Sequence, residues 1–240
     1  MTPKRIFDAH VHADRRSRGY DLEVCGRNQI FNTVSSYKKR RPAPSSDAVS
    51  LIFDYRDNLD YVLGEIRSGA ARALKIHSRL QGIKEGDYPA LVENLRKAPP
   101  AAPIIVDAFY YGADLDVQPS LRGIIELLKA FPKRHFIIAH CGGYRLPEYF
   151  YHLREFDNFS YELSFALQYF ADSSLEADLK KLIKHTDRRR ILFGSDFPFA
   201  SPRLQLERLE IIFKQLGLPE RELDWVCHAN AARRFLKRPR

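Results

Sequence analysis

The sequence predicts an α/β protein folded as a distorted TIM-like (β/α) barrel. Three observations predict it: short apolar runs alternate with amphipathic helical stretches, the chain has 240 residues, and 45% of them are hydrophobic. Such alternation is typical of a parallel sheet with crossover helices, and about 250 residues is the usual length of one barrel. No internal repeat or linker interrupts the pattern, so we expect residues 1–240 to form a single domain.

Seven β/α units are clear. The first predicted strand covers residues 4–9, and the others cover residues 48–53, 71–77, 102–108, 135–139, 159–163 and 190–194. Predicted helices cover residues 58–68, 88–97, 120–131, 175–185 and 204–216, with two short helices in 220–236. A complete barrel needs eight strands. The polar stretch 15–46 holds either the eighth strand, around residues 29–34, or a long active-site loop.

Composition limits the environment and the partners. No apolar run approaches the roughly 18 residues of a membrane span, and the first residues lack a signal-peptide pattern. The three cysteines form no CxxC pair, which fits reduced thiols and a cytoplasmic location. The net charge of +9 falls largely in short runs typical of solvated surface, so we expect a small-molecule substrate rather than nucleic acid or a membrane. A homo-oligomer stays an open alternative.

Ionisable side chains end most of the predicted strands. The stretch FDAHVHAD places His10 and His12 two residues apart, so both are expected on one face, with Phe7, Ala9 and Val11 on the other. The same kind of residue ends five further predicted strands, at Lys75, His77, Asp107, His140, Glu162 and Asp196. Active sites of parallel barrels lie at these carboxyl ends. Because burying so many ionisable groups together is costly without a compensating ion or substrate, the pattern predicts a metal site.

The chemistry of these residues suits a hydrolase. Imidazole and carboxylate groups are ligands of Zn²⁺ and similar divalent ions. A site with three protein ligands and an open position lowers the pKa of bound water to about 7, and a neighbouring carboxylate can then take its proton.

The stretches FDAHVHAD, LKIHSRLQG, FIIAHCGG, ILFGSDFP and HANAARRFL together resemble the amidohydrolase superfamily. More narrowly, they resemble its amidohydrolase-related branch, which includes metal-dependent hydrolases and enzymes like aminocarboxymuconate-semialdehyde decarboxylase. The resemblance implies that His10 and His12 bind one metal ion, that Asp196 is a ligand or proton acceptor, and that His140 binds metal or acts on the substrate. The family usually has a histidine where this chain has Asp107. Asp107 could bind the metal through oxygen, which would give Mn²⁺ or another harder ion more weight beside Zn²⁺, or it could mark a member whose metal affinity or activity has decayed. We expect metal binding to be retained with Asp107 among the ligands, because the other site residues are present, namely His10, His12, His140 and Asp196.

Other residues carry two interpretations each. Lys75 lies where some superfamily members carry a carboxylated lysine between two metals, but the branch is normally mononuclear, so we expect a plain barrel lysine. His77 and Arg79 could bind substrate, the alternatives being a structural histidine and a solvated arginine. Glu162 could face the substrate or pair with a basic neighbour. Cys141 is expected to be a small buried residue, and four histidines are expected to be structural, namely His135, His152, His185 and His228.

The predicted activity is hydrolysis of a C–N or C–O bond in a small carbonyl compound, with an anionic substrate among the alternatives. Asp196 would accept the proton of the metal-activated water, and His140 would stabilise charge on the substrate. A second alternative is non-oxidative decarboxylation, which the same branch performs. A third is a catalytically silent barrel that binds an anionic ligand or nucleic acid through its excess of lysine and arginine.

Overall fold

The protein forms an eight-stranded parallel sheet in which each strand pairs with its neighbours in sequence. The computed structural model describes residues 3–12, 20–21, 29–32 and 48–236. The strands are β1 (Asp8–Val11), β2 (Gln29–Asn32), β3 (Ala48–Ile52), β4 (Ala73–Ile76), β5 (Ile104–Asp107), β6 (Phe136–Ala139), β7 (Phe159–Glu162) and β8 (Ile191–Leu192). The eighth strand is therefore β2, within the stretch 15–46. The rest of that stretch, apart from Tyr20 and Asp21, lies outside the described residues, as does Cys25.

Backbone hydrogen bonds join β1, and His12 just after it, to residues 193–197, which follow β8. The amide of Ala9 donates to the carbonyl of Phe193 at 3.1 Å, and the amide of Asp196 donates to the carbonyl of His10 at 2.9 Å. The amide of His12 donates to Phe197 at 2.7 Å. These bonds bring the two edges of the sheet together, so the predicted barrel is confirmed.

Helices follow the strands and cover the outside of the sheet. They are α1 (Leu59–Ser68), α2 (Ser78–Gln81), α3 (Tyr88–Leu95), α4 (Leu121–Ala130), α5 (Leu146–Leu153), α6 (Ala166–Tyr169), α7 (Ser174–His185), α8 (Pro202–Gln215), α9 (Glu220–Asp224) and α10 (Asn230–Phe235). Helix α4 shows why they begin where they do. The Ser120 hydroxyl accepts a hydrogen bond from the amide of Gly123 at 3.0 Å, and Ile124, Leu127 and Leu128 then bury one helical face.

Strand residues alternate between the helix layer and the barrel interior. In β5, Ile104 and Val106 pack in the outer core, whereas Ile105 belongs to a second core cluster that fills the interior and Asp107 ends the strand. Helix α10 closes the amino-terminal end, because the ring of Phe235 stacks on that of Phe7 with centroids 5.9 Å apart. The closed, apolar floor leaves the carboxyl ends of the strands as the place for a polar site.

The expectation that Phe7 and Ala9 face away from His10 is wrong, whereas the same expectation for Val11 is confirmed. Phe7 and Ala9 belong to the interior cluster, whereas Val11 packs in the outer core. The register with β2 shifts between Asp8 and Val11, which marks a bulge or irregularity in the strand. An extra residue at such a point resets the strict alternation of side chains. His10 therefore shares the interior with Ala9 instead of facing away from it.

The helices, two of the arginines and two of the cysteines can now be compared with the expectations from composition. Among the described residues, no helix combines the length and apolar character needed to cross a membrane. In the basic run 188–190, Arg188 pairs with Glu222 at 2.9 Å and Arg190 pairs with Asp157 at 3.2 Å. These two arginines therefore serve contacts within the fold. Cys141 and Cys227 are buried free thiols, as expected for Cys141.

Candidate metal centre and active site

The ionisable strand ends meet at the carboxyl end of the barrel. His140 follows β6 directly and Asp196 lies four residues after β8, and they have positive φ angles of 57° and 67°. Residues other than glycine rarely adopt this left-handed conformation, and where they do it is often at functional sites. The backbone thus turns sharply at His140 and at Asp196, and both side chains line the cavity described below.

A first group of candidate ligands consists of His10, His12 and Asp196. The Nε2 atom of His12 lies 3.2 Å from Nε2 of His10 and 3.0 Å from Oδ1 of Asp196. Nε2 of His10 lies 3.4 Å from the same Oδ1 atom. One ligand atom from each residue can be chosen so that all lie within 4.8 Å of one another. The predicted ligands on β1 and after β8 are therefore close enough to share one ion.

A second group shares His10 and adds Asp107 and His140, again within 4.8 Å. Oδ2 of Asp107 lies 3.5 Å from Nε2 of His140 and 3.6 Å from Nε2 of His77. The Lys75 ammonium lies between the groups, 3.4 Å from Oδ2 of Asp107 and 3.2 Å from Nε2 of His10. Asp107 thus clusters with His10 and His140, and Lys75 is a buried lysine in contact with both groups.

Burial and neighbouring charges set the protonation states. Burial holds the pKa of His10 well below its usual value and also lowers that of His12, so both imidazoles are neutral at pH 7 and able to bind a metal. Burial by itself raises the pKa of Asp107, but His77, Lys75 and His140 outweigh it and hold that pKa well below the usual value. Burial also opposes protonation of His140, yet Asp107 raises the pKa of His140 to about 9. Burial lowers the pKa of His77 to about 4.

Beneath His10 lies a buried carboxylate. Oε2 of Glu162 is 2.9 Å from Nδ1 of His10, and the Ser164 hydroxyl donates to the same oxygen at 2.6 Å. Burial raises the pKa of Glu162 to about 7. Glu162 is 1% exposed and is not among the residues that line the cavity.

A cavity of about 570 Å³ opens above these groups. Its polar floor is formed by His12, His77, Asp107, His140 and Asp196, and its apolar walls by Leu80, Phe109, Tyr111, Phe165 and Phe199. Arg79 contacts the outside of one wall: its guanidinium lies 3.6 Å from the centroid of the Tyr111 ring and donates to the Tyr111 carbonyl at 3.0 Å. Tyr111 thus lies between Arg79 and the cavity, whereas His77 lines the cavity itself.

The sequence missed several residues of this site. Ser164 lies two residues after Glu162 in FSYELS, and the period of two within a strand was the signal that could have grouped them. The aromatic walls carry no such signal, because they come from loops distant in sequence. The four histidines expected to be structural lie outside the cavity lining, with His135 bound to the Ser160 hydroxyl at 2.9 Å.

The donor atoms of His10, His12 and Asp196 suit a divalent metal ion. Oδ1 of Asp196 is buried and has no hydrogen bond of good geometry to any described residue, although two neutral imidazoles are its closest neighbours. Such an atom is costly to bury unless it is compensated, and a nitrogen and oxygen donor set suits Zn²⁺ and related ions. The residues therefore fit the group.

The barrel and this donor set are typical of metal-dependent (β/α)-barrel hydrolases and their relatives. The sequence matches the amidohydrolase family model over residues 69–236, more than half of the chain, and the chain belongs to this family. It is accordingly an enzyme of the amidohydrolase type, which confirms the resemblance seen in its motifs. No protein of curated function matches the sequence.

Solved structures share the fold. An uncharacterised TIM-barrel protein from Bordetella bronchiseptica is 14% identical with a TM-score of 0.64, over 95% of this chain and 97% of its own. Dihydroorotase from Saccharomyces cerevisiae is 11% identical with a TM-score of 0.64, over 98% of this chain and 84% of its own. The 5-carboxyvanillate decarboxylase from Sphingomonas paucimobilis is 13% identical with a TM-score of 0.50, over 78% and 67%. At these identities the likeness establishes the fold alone.

Proposed function

We propose that this protein is a metal-dependent hydrolase that cleaves a C–N or C–O bond next to the carbonyl group of a small substrate. The observation that carries the proposal is the buried Oδ1 atom of Asp196, which lies close to Nε2 of both His10 and His12 and has no hydrogen bond of good geometry to the described residues. A carboxylate in this position can serve first as a metal ligand and then as a proton acceptor.

His10, His12 and Asp196 would hold the ion, and Asp107 would add a ligand from the neighbouring group. A divalent metal bound there would supply Lewis acidity, which lowers the pKa of bound water and polarises a carbonyl oxygen. Zn²⁺ suits two imidazoles and a carboxylate, whereas participation of Asp107 would favour Mn²⁺ or another harder ion.

The side chains of this protein would move the protons. Asp196 would accept the proton of the attacking water and return it to the leaving group. The raised pKa of His140 keeps its imidazole cationic at pH 7, so Nε2–H can stabilise negative charge on the substrate oxygen. The same cation would attract an anionic group on the substrate. Phe109, Tyr111 and Phe165 would hold the apolar part of the substrate and exclude bulk water.

The first test is the metal content of protein purified without chelator, measured by elemental analysis. We expect about one equivalent in the wild type and a loss of most of it in His10→Ala and Asp196→Ala. His152→Ala is the matched control, because His152 is an exposed histidine on α5. Wild-type protein that holds no metal, even after reconstitution with Zn²⁺ or Mn²⁺, would contradict the proposal.

Decarboxylation is the second candidate, and one observation favours it. The cationic His140 faces a cavity with apolar aromatic walls, so a proton donor stands beside space suited to an unsaturated acid. Substrate turnover in ¹⁸O-labelled water separates the two reactions. Hydrolysis places ¹⁸O in the product, whereas decarboxylation releases CO₂ and transfers a solvent hydrogen to carbon.

A further inference from the structure

Two buried side chains lie behind the candidate ligands and contact none of the cavity space. Glu162 ends β7, and Ser164 follows two residues later. The Glu162 carboxylate accepts hydrogen bonds from both the amide and the hydroxyl of Ser164, the latter at 2.6 Å. The carboxylate is thus fixed from its own chain segment, and its Oε2 atom lies 2.9 Å from Nδ1 of His10.

These contacts determine which nitrogen of each imidazole can carry a proton. Because the Ser164 hydroxyl donates to Glu162, its oxygen can only accept from the two imidazoles, whose Nδ1 atoms both lie 3.1 Å away. The Ser164 carbonyl oxygen is also 3.1 Å from Nδ1 of His140. With Glu162 ionised, the groups of the described residues that face the two Nδ1 atoms are therefore acceptors. Nδ1 carries the proton in both rings, and the Nε2 atoms of His10 and His140 face the candidate ligands and the cavity.

The packing around Glu162 leaves room for its contact with His10 only because residue 194 is a glycine. A β-carbon added to Gly194, two residues after β8, would overlap Oε1 of Glu162 and would lie 3.0 Å from the β-carbon of His10. Only a residue without a side chain leaves room for the carboxylate at this place. Glu162 and Ser164 are 1% and 0% exposed, so water does not compete for these bonds.

We propose that Glu162 and Ser164 form a positioning pair that fixes the Nδ1–H tautomer of His10, so that its unprotonated Nε2 faces the metal site, and that holds the ring of His140 with Nε2 toward the cavity. The expected effect on metal binding rests on the proposed function. The tautomer of His10, in contrast, is a property of the metal-free protein. Outer partners of this kind change metal affinity by about 10- to 100-fold when they are removed.

The experiment has two readouts on the full-length protein. The dissociation constant for Zn²⁺, measured against a chromophoric chelator, should rise by about 10- to 100-fold in Glu162→Gln and by about 10-fold in Ser164→Ala. Ser160→Ala is the matched control, since Ser160 is an equally buried serine of β7 whose hydroxyl contacts His135. It should leave the dissociation constant unchanged. A urea unfolding curve for each variant confirms that it is folded.

The second readout is the ¹⁵N chemical shifts of the His10 ring in the metal-free protein at pH 7, assigned by their loss in His10→Gln. We expect a protonated Nδ1 and an unprotonated Nε2 in the wild type, and a mixture of tautomers in Ser164→Ala or Glu162→Gln. A wild-type His10 protonated at Nε2, or Zn²⁺ affinities that fall equally in Ser160→Ala, would overturn the positioning pair. Wild-type protein with the expected tautomer that binds no metal would overturn the proposed function and leave the tautomer assignment supported.

Discussion

The ammonium group of Lys75 lies 3.4 Å from the Oδ2 atom of Asp107, and both side chains are buried in the barrel. This carboxylate has two roles open to it: a ligand oxygen and a counter-charge for Lys75. In Asp107→Ala the buried ammonium loses its carboxylate, and we expect the free energy of unfolding to fall by about 3–5 kcal/mol in urea titrations.

The double variant Lys75→Met/Asp107→Ala separates the two roles of Asp107. Removing both charges should recover much of the stability, because no buried charge is left without a partner. If Asp107 is a ligand, the double variant should still bind less metal than the wild type, and this is the result we expect. Metal binding restored to the wild-type level would assign Asp107 to charge compensation alone.

Gly194 should tolerate no side chain. In Gly194→Ala the new β-carbon would displace Glu162 from His10, so we expect a loss of about 1–3 kcal/mol in the free energy of unfolding together with weaker Zn²⁺ binding. Gly64→Ala is the control, because Gly64 is exposed within α1 and an added β-carbon would have no atom within 4 Å. That substitution should stabilise the protein by about 0.5–1 kcal/mol. Equal effects at both positions would argue against the tight packing at Gly194.

His135 should make the protein less stable in mild acid. Burial, followed by the charges of Arg234, Arg190 and Arg233, lowers the pKa of His135 from 6.5 to about 3. Between these values the unfolded chain binds a proton that the folded chain does not, so stability falls as pH decreases through this window. From pH 7 to pH 5 this residue should remove about 2 kcal/mol from the free energy of unfolding.

Urea unfolding at pH 7 and pH 5 checks this prediction. His135→Gln should lose about 2 kcal/mol less than the wild type between the two pH values, since glutamine does not titrate. The exposed His152, replaced by glutamine, should follow the wild-type curve. A His135→Gln protein with the same pH dependence as the wild type would show that another group is responsible.

Arg79 should act on the substrate through Tyr111. Its guanidinium covers the Tyr111 ring at 3.6 Å, and a contact of this type contributes about 0.5–1 kcal/mol at exposed sites. We therefore expect Arg79→Ala to raise KM by roughly 2- to 5-fold with kcat unchanged. In Tyr111→Ala/Arg79→Ala the two effects should be less than additive. A full additional rise in KM caused by the loss of Arg79 in the Tyr111→Ala background would instead indicate direct contact with substrate.

Several elements could be predicted from the sequence because they depend on local patterns. The strand around Ile104–Asp107 was expected over residues 102–108, since its apolar run is bounded by Pro99-Pro100 and ends in a polar residue. Helix α4 was expected over residues 120–131 from its apolar spacing and begins at its serine cap. The sequence does not decide between a strand and a loop at β2, because QIFN is short and its pairing with β1 and β3 depends on residues distant in sequence.

The sequence by itself determined the barrel class, the strand ends that carry His10, His12, Asp107, His140 and Asp196, and the family. Period and motif are local, and parallel strands must bring their carboxyl ends to one rim. Only the tertiary structure decided that Asp107 pairs with Lys75, that Glu162 lies behind His10, and that Phe109 and Phe165 form a wall. Those relationships depend on the register between strands, on the bulge in β1, and on loops that meet only when the barrel closes.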